Sequence, residues 1–465
     1  MTPADIAAAC GLSGYACEGV GIGGLLKARI EDFRVEEVGR TPALDPKGRF
    51  TVARVTLTNW ETNRFIGKLA RELKMSKNRI WFSGTKDKRA VTTQLLVIDT
   101  QQAKVAAVTM PDVDIEVLGR SHQKPNFGDH SGNRFTITVR GCADADGTPL
   151  DAKTATERVN ATFEGMEARL GAGRFPNWIG PQRFGATRPV TPVVGRAVIA
   201  DEWQAAVDAY LGMAGIQQQP DVEAFRTLWR ETRDVKKCLE IIPRYLGFER
   251  DILRQLEKRP EDWLGAFRKL PNNLQLMMVH SLQSVAFNRI IAARLEAGLT
   301  LTEPIEGDVV GMILDSGKID MGKLVEVEAP LIDRISRNCR LGRLAVTAAL
   351  PGGEAALSSG KPGRIEREVI DDMELTDSTW QVSGIPRLSS KGSRRAMTVG
   401  FTDFSVEEAG HIEAEHLGNR AIEGPREGER WHPEGCTLRL RFTLPSGTYA
   451  TILMREFMRA PLTQY

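Results

Sequence analysis

Residues 84–90 read G-T-K-D-K-R-A, and the rest of the chain is organised around this segment. The segment 79–82 before it, R-I-W-F, predicts a short strand, and the segment 90–100 after it, which is rich in β-branched residues, predicts a second one. Asp87 is the only acid between them, and its basic neighbours are Lys86, Lys88 and Arg89. A lone carboxylate on a strand-connecting loop, surrounded by positive charge, suggests chemistry on a polyanion. A solvated surface turn is the alternative interpretation of these seven residues.

Length and composition set the general class of the protein. The chain has 465 residues, 42% of them hydrophobic and 26% charged, which is typical of a globular protein with two or more domains. Its formal net charge is only +2. If a nucleic acid is the partner, the basic residues must therefore be clustered rather than abundant.

The metal-ligating residue types are few and scattered. The six cysteines contain no C-x-x-C pair, which argues against a zinc site and a disulfide scaffold and suits a reducing compartment. The six histidines contain no H-E-x-x-H motif. We find no signal peptide and no apolar stretch long enough to span a bilayer. The sequence therefore predicts no metal, no membrane association and a cytoplasmic location.

A glycine-rich segment near the N-terminus resembles a dinucleotide fingerprint. Gly19, Gly21 and Gly24 satisfy G-x-G-x-x-G. No convincing strand precedes them, and the following segment is too short for a βαβ crossover. We interpret the segment as a backbone crossing and reject a cofactor site.

Two strands and a basic helix are predicted before the Asp87 loop. Within L-L-K-A-R-I-E-D-F-R-V-E-E (residues 25–37), Phe33 and Val35 lie on one face of a half-buried strand. Residues 50–58 predict another strand, and Thr62 is a candidate cap for a helix that runs to about residue 75. One face of that helix carries basic residues at helical spacing. Together with the loop they predict an RNA-binding surface that comprises Arg64, Lys68, Arg71, Lys88 and Arg89.

A second unusual stretch is residues 174–192, where arginines alternate with Phe175, Trp178 and Phe184. Aromatic faces can stack on unpaired bases while arginines bind phosphate. A packed loop with buried aromatic residues is the equally supported alternative.

From about residue 201 the pattern changes to helices and short strands, which indicates a separate α+β module. The C-terminal Leu438, Leu440, Phe442 and Leu444 alternate with polar residues, so this strand needs a partner sheet. The N-terminal sheet is the available candidate. We therefore predict one domain built from residues 1–200 and 396–465, interrupted by an insertion at 201–395.

The motifs, taken in order, resemble the TruD family of tRNA pseudouridine synthases. They are G-I-G-G-L-L-K (21–27), E-D-F-R-V-E-E (31–37), G-T-K-D-K-R-A (84–90), G-N-R-F (132–135), N-W-I-G-P-Q-R-F-G (177–185) and L-P-S-G-T-Y-A-T (444–451). The resemblance covers nearly the whole chain. It implies an α+β fold: a pseudouridine synthase catalytic core, with a mixed, largely antiparallel sheet and flanking helices, into which a large TRUD domain is inserted.

The resemblance also implies a reaction and a site. Asp87 is the expected catalytic aspartate of a uridine isomerisation in transfer RNA, at position 13, with no cofactor and no obligatory protein partner. Family mechanisms place the carboxylate at the sugar C1′, at the C2′ proton or at uracil C6, and the sequence does not choose among them. The expected substrate-binding residues are Lys27, Phe33, Lys86, Asn177, Ile179 and Arg183.

One of these positions departs from the family pattern. The family writes N-Y-F-G where this chain has N-W-I-G, so Ile179 stands where a phenylalanine is expected beside the base. Either Ile179 packs against the base or Trp178 compensates.

Two other functions compete with the isomerase. A catalytically silent RNA-binding protein of the same fold would keep the surface without the chemistry. The S-x-x-K pattern that begins at Ser83 suggests a hydrolase, but the sequence lacks the companion motifs of that class.

Overall fold

The computed structural model describes residues 2–124, 132–216, 218–314, 317–375, 380–411 and 423–465. The chain divides into two compact units. The sheet unit comprises residues 17–167, 400–460 and 464–465. The helical unit comprises residues 1–16, 168–399 and 461–463.

Strands and helices are numbered in chain order. The strands are β1 (Gly23–Leu25), β2 (Phe33–Val38), β3 (Phe50–Thr58), β4 (Ile80–Phe82), β5 (Val91–Ile98), β6 (Val113–Ser121), β7 (Gly132–Cys142), β8 (Arg174–Pro176), β9 (Val309–Ile313), β10 (Ile319–Glu326), β11 (Leu344–Leu350), β12 (Ser393–Ala396), β13 (Thr398–Gly400), β14 (Thr402–His411) and β15 (Cys436–Pro445). The helices are α1 (Pro3–Ala9), α2 (Thr62–Glu72), α3 (Gln102–Ala106), α4 (Ala152–Leu170), α5 (Val190–Ile199), α6 (Trp203–Gly212), α7 (Pro220–Thr232), α8 (Val235–Ile241), α9 (Gly247–Lys258), α10 (Trp263–Phe267), α11 (Asn272–Glu296), α12 (Ile332–Arg340), α13 (Gly360–Asp372) and α14 (Ala450–Met458).

The sheet unit is built on one large mixed sheet. Its strand order is β14-β15-β7-β2-β5-β3-β6, with β1 paired to β7 and β4 paired to β5. The β2–β5 pair is parallel and the other pairs are antiparallel, which confirms the predicted mixed, largely antiparallel sheet. Since parallel strands start at the same edge, the segments that enter β2 and β5 are neighbours. These segments contain Lys27 and Asp87.

The C-terminal strand β15 closes onto the N-terminal sheet, as its alternation predicted. It pairs with β7 from Leu438 opposite Val139 to Pro445 opposite Gly132. Four apolar side chains of β15 are fully buried: Leu438, Leu440, Phe442 and Leu444. Full burial of such a side chain contributes roughly 1.5–3 kcal/mol. This strand therefore joins the two distant parts of the chain into one core.

Helix α2 covers the face of the sheet that leads to the Asp87 loop. Phe65, Ile66 and Leu69 pack among buried residues of β3 and β5, including Val55 and Leu96. The remaining side of the helix is polar, as expected of an amphipathic helix on a sheet. The packing sets the N-terminus of α2 beside the loop.

The glycine-rich crossing is tightly packed. Gly24 has φ +90°, and an added Cβ would lie 2.4 Å from Val139 Cγ1. Glycine is required because β1 approaches β7 too closely for a side chain. The last glycine of the fingerprint spacing, Gly24, thus has a packing cause.

The helical unit has its own four-stranded antiparallel sheet, in the order β10-β9-β11-β12. The helices expected after about residue 201 are present and include α6, α7, α9 and α11. Residues 168–200, predicted with the first domain, group instead with the helical unit. The reason is that β8 pairs with β13 and that α5 packs on α6 and α11. Across the described residues, no helix combines the length and the apolarity needed to cross a membrane.

Candidate active site

Asp87 lies on the loop between β4 and β5, and its side chain is 51% exposed. Lys27 Nζ is 3.8 Å from Asp87 Oδ1. The same ammonium lies over the ring of Phe33, 4.1 Å from its centroid. Lys27 adopts a left-handed backbone with φ 52°, which is uncommon for a residue with a side chain. The carboxylate is therefore reachable from solvent and paired with the Lys27 ammonium, while substrate binding by Lys27 and Phe33 stays a prediction.

A buried ion pair supports the turn that carries Lys27 and Phe33. Arg140 Nη2 is 2.7 Å from Asp32 Oδ1, and Arg140 Nε donates to the same carboxylate at 2.8 Å. The backbone N–H of Arg29 also donates to Asp32 Oδ2 at 2.7 Å. Such a bidentate arrangement is rigid as well as strong. It attaches the turn to β7.

The Asp87 loop is held on both sides of the aspartate. The Lys86 backbone N–H donates to Thr62 Oγ1 at 3.0 Å. Arg89 Nε and Nη2 donate to the carbonyl oxygens of Lys27 and Ala28 at 3.0 and 3.1 Å. Asp87 thus projects from a backbone that is anchored at each end.

Thr62 has a different role from the one predicted. The cap of α2 is Glu61, whose side chain accepts from the backbone N–H groups of Asn63 and Arg64. Thr62 is the first residue of the helix, and its buried hydroxyl is free to accept from the loop. Because Thr62 lies one position inside the helix, its hydroxyl bonds the Asp87 loop instead of the helix end.

The Lys86 side chain points into the protein. Its Nζ is 3.3 Å from Glu37 Oε2, and the two side chains are only 5% and 4% exposed. This contact is intramolecular, so the predicted substrate contact of Lys86 stays a prediction. Lys88 is exposed at the surface of the loop.

The basic face of α2 is present, with Trp60 beside it. Arg64 and Arg71 are exposed and Lys68 is partly buried. The Arg64 guanidinium and the Lys68 ammonium lie 6.0 and 5.4 Å from the centroid of the Trp60 ring. Cation–π contacts at such distances are worth about 0.5 kcal/mol at exposed sites. They order the cations along the helix that adjoins the Asp87 loop.

In the helical unit, Asn177 is buried and its side-chain amide is occupied. Its Nδ2 donates to the Ala396 carbonyl at 2.9 Å, and its Oδ1 accepts from Arg395 Nη2 at 2.5 Å. Its backbone N–H donates to the Met397 carbonyl at 2.8 Å. These bonds tie the start of the second unusual stretch to the segment that precedes β13. A substrate contact by Asn177 stays a prediction.

The aromatic residues of the second unusual stretch are buried. Phe175, Trp178 and Phe184 have almost no exposed surface, which confirms the packed-loop interpretation for these rings. Ile179 is also buried, and Asn288 bonds both its backbone N–H and its carbonyl oxygen. Stacking of Trp178 on a base has no support in this arrangement.

Arg183 is partly buried and lies close enough to His280 to affect it electrostatically. The pKa of His280 is lowered from its usual value by burial and, to a smaller extent, by the positive charge of Arg183. Substrate binding by Arg183 and Ile179 stays a prediction.

Two buried groups that support the Asp87 loop and the turn at Lys27 were not predicted from the sequence. Glu37 was visible in principle, because it falls two residues after Val35 on the buried face of β2, where a carboxylate needs a cation. The Asp32–Arg140 pair had no local signal, since the partners are far apart in sequence. Within the described ranges, no cluster of three or more His, Cys, Asp or Glu could hold a metal ion.

Comparison with known proteins shows similarity along nearly the whole chain. Residues 9–457 match the family model described as tRNA pseudouridine synthase D (TruD). Two similar curated proteins are named "Probable tRNA pseudouridine synthase D". The protein from Methanosarcina acetivorans is 34% identical, and the match covers 99% of this chain and 98% of that protein. The protein from Halobacterium salinarum is 36% identical, and the match covers 97% of this chain and 96% of that protein. A crystal structure solved for a TruD protein of Methanosarcina mazei is similar with a TM-score of 0.83 and 33% identity, covering 99% of both chains.

Proposed function

This chain belongs to the TruD family of tRNA pseudouridine synthases, and we propose that it isomerises a uridine of transfer RNA to pseudouridine with Asp87 as the catalytic carboxylate. One observation carries the assignment of Asp87. The Asp87 carboxylate is exposed on an anchored loop and lies 3.8 Å from the Lys27 ammonium. We further propose position 13 as the target, following the family resemblance.

The reaction is an isomerisation, so the nucleotide gains and loses no atoms overall. The bond from N1 of uracil to C1′ breaks, the base rotates, and a bond from C5 to C1′ forms while the C5 proton is lost and N1 gains one. Three routes place the carboxylate at C1′, at the C2′ proton or at uracil C6. Each of them needs a carboxylate that the substrate can reach. Lys27 orients Asp87, and Phe33 supports Lys27 from below.

The target nucleotide must leave the RNA stack to reach Asp87. We assign contacts with the flanking phosphates to four cations of α2 and the loop, which are Arg64, Lys68, Arg71 and Lys88. Arg89 contributes less in this proposal, because its guanidinium already donates to two backbone carbonyls. We place the protein in the cytoplasm, and its six scattered cysteines suit a reducing compartment.

The test compares the wild-type protein with Asp87→Asn on a transfer-RNA transcript. Pseudouridine is measured by chromatography of nuclease digests, and affinity is measured by filter binding. We expect the variant to form no pseudouridine while its affinity stays within about tenfold, or about 1.4 kcal/mol. A transcript with cytidine at position 13 should give no product with the wild-type protein.

The outcomes separate the competing functions. Turnover by Asp87→Asn would refute the assignment of Asp87. Tight binding of transfer RNA by the wild-type protein, with no pseudouridine formed, would favour the silent RNA-binding protein. Product formed from the cytidine-13 transcript would refute position 13 alone.

A further inference from the structure

Glu37 lies on the buried face of the sheet beneath the Asp87 loop. Phe33, Val35 and Glu37 alternate along β2, and the first two are fully buried. On the neighbouring strand β7, Asn133 lies directly opposite Glu37. On the other side, Glu36 pairs with Thr93 of β5, so the next residue, Gln94, shares the face of Glu37. Three polar side chains therefore lie side by side across an otherwise apolar face.

This polar row is poorly compensated by hydrogen bonds. Among the described residues, buried Glu37 Oε2, Asn133 Oδ1 and both amide atoms of Gln94 have no hydrogen-bond partner. Asn133 and Gln94 carry no charge and cannot balance a carboxylate. The positive charge that meets Glu37 Oε2 is the Lys86 ammonium at 3.3 Å.

Stability alone is a weak reason for such a pair. Desolvation of two charges offsets most of their attraction, and well-packed apolar replacements are often equally stable. The position of the pair is more informative, because Lys86 immediately precedes Asp87. Two anchors hold Lys86: its backbone N–H on Thr62 and its side chain on Glu37.

We infer that Glu37 is a positioning residue, which acts through its buried ion pair with Lys86 to fix the backbone that presents Asp87. The inference rests on the proposed function. It predicts that loss of the Glu37 charge frees the Lys86 side chain and displaces Asp87. A displacement of about 1 Å from productive geometry can cost about a hundredfold in rate.

The kinetic experiment uses Glu37→Gln with Glu36→Gln as its matched control. Glu36 is the adjacent residue on the opposite face, 55% exposed and 3.7 Å from Arg134. We expect kcat of Glu37→Gln on transfer RNA to fall about a hundredfold, with KM within threefold, and Glu36→Gln to match the wild type. A fall in kcat of less than threefold would overturn the inference.

A double variant, Glu37→Gln with Lys86→Met, separates positioning from a cost in stability. Because it removes both buried charges, we expect its melting temperature to return towards that of the wild type. Its kcat should stay at least tenfold below wild type. Recovery of kcat together with stability would show a structural role only, and failure of both variants to fold would equally overturn the positioning role.

A second measurement does not depend on activity. Trypsin cleaves after lysine and arginine, so cleavage after Lys88 or Arg89 reports on the loop. In the folded Glu37→Gln protein, we expect this cleavage to be at least tenfold faster, with other sites unchanged. Unchanged loop cleavage would overturn the inference. If the wild-type protein forms no pseudouridine, the proposed function fails while this measurement still judges the anchoring of the loop.

Discussion

The Asp32–Arg140 ion pair allows a quantitative prediction about the turn that carries Lys27. The substitution is Asp32→Asn, which preserves shape and removes one charge. Asp32 is 1% exposed and Arg140 is 10% exposed, and their closest N–O distance is 2.7 Å. Removing one partner of a buried pair leaves an uncompensated charge and costs about 3–5 kcal/mol. This is a large share of the roughly 5–15 kcal/mol that stabilises a typical domain.

The chain supplies a control at the same distance with different burial. Arg54 Nη1 lies 2.7 Å from Glu116 Oε2 on neighbouring strands, but the side chains are 47% and 55% exposed. Exposed pairs contribute about 0.2–1 kcal/mol, since water and salt screen them. Glu116→Gln should therefore lower the free energy of unfolding by no more than about 1 kcal/mol.

Urea unfolding measures both variants against the wild type. Far-UV circular dichroism and tryptophan fluorescence are followed together, because coincident transitions justify a single free energy. A variant that shifts the midpoint without changing the slope has changed stability alone. The double variant Asp32→Asn with Arg140→Met should recover at least half of the loss, since the uncompensated charge is gone. Equal losses in Asp32→Asn and Glu116→Gln would refute the burial argument, and no recovery in the double variant would refute the role of the unpaired charge.

Two further predictions concern RNA binding and acid stability. Replacing Lys68 and Arg71 together with alanine should weaken transfer-RNA binding and reduce the slope of log affinity against log salt by about 1–2, and an unchanged slope would mean that this face of α2 does not meet RNA. The hydrogen bond from Arg158 lowers the pKa of Asp144 from 3.8 to about 2, so its stabilisation is present above about pH 4 and is lost as the pH falls from about 4 to 2. Asp144→Asn should therefore lower the melting temperature at about pH 6, with the gap to wild type closing towards about pH 2, whereas Glu157→Gln, in an exposed pair, should show no such trend.

The periodicity of apolar residues predicted which face of a strand or helix is buried. Strict alternation in β15 placed its leucines and Phe442 inward, and an apolar stripe placed α2 on the sheet. Both features are local, because a residue two or four positions away reports on the same face. The first domain boundary was harder to place. Residues 168–200 group with the helical unit through pairing and packing with segments much later in the chain.

The candidate site shows the same limit at the level of single side chains. The sequence indicates one positive cluster around Asp87, formed by Lys86, Lys88 and Arg89. The structure separates them: Lys86 points inward to Glu37, Arg89 holds the turn at Lys27, and Lys88 is exposed. Because the inward partner lies on a different strand, composition could not distinguish a cation that anchors the loop from one that faces solvent.

This division explains how one acid stays exposed within such a basic segment. Cations that all faced solvent would leave the loop free to move, and the position of Asp87 would depend on weak surface pairs. With Lys86 paired inside the protein and Arg89 bonded to the turn at Lys27, the backbone is anchored before and after Asp87. The Lys27 ammonium then meets the carboxylate from the adjoining turn at 3.8 Å. Lys86 and Arg89 therefore hold the loop in position. Of the three cations that flank Asp87, we assign the phosphate contact to the exposed Lys88.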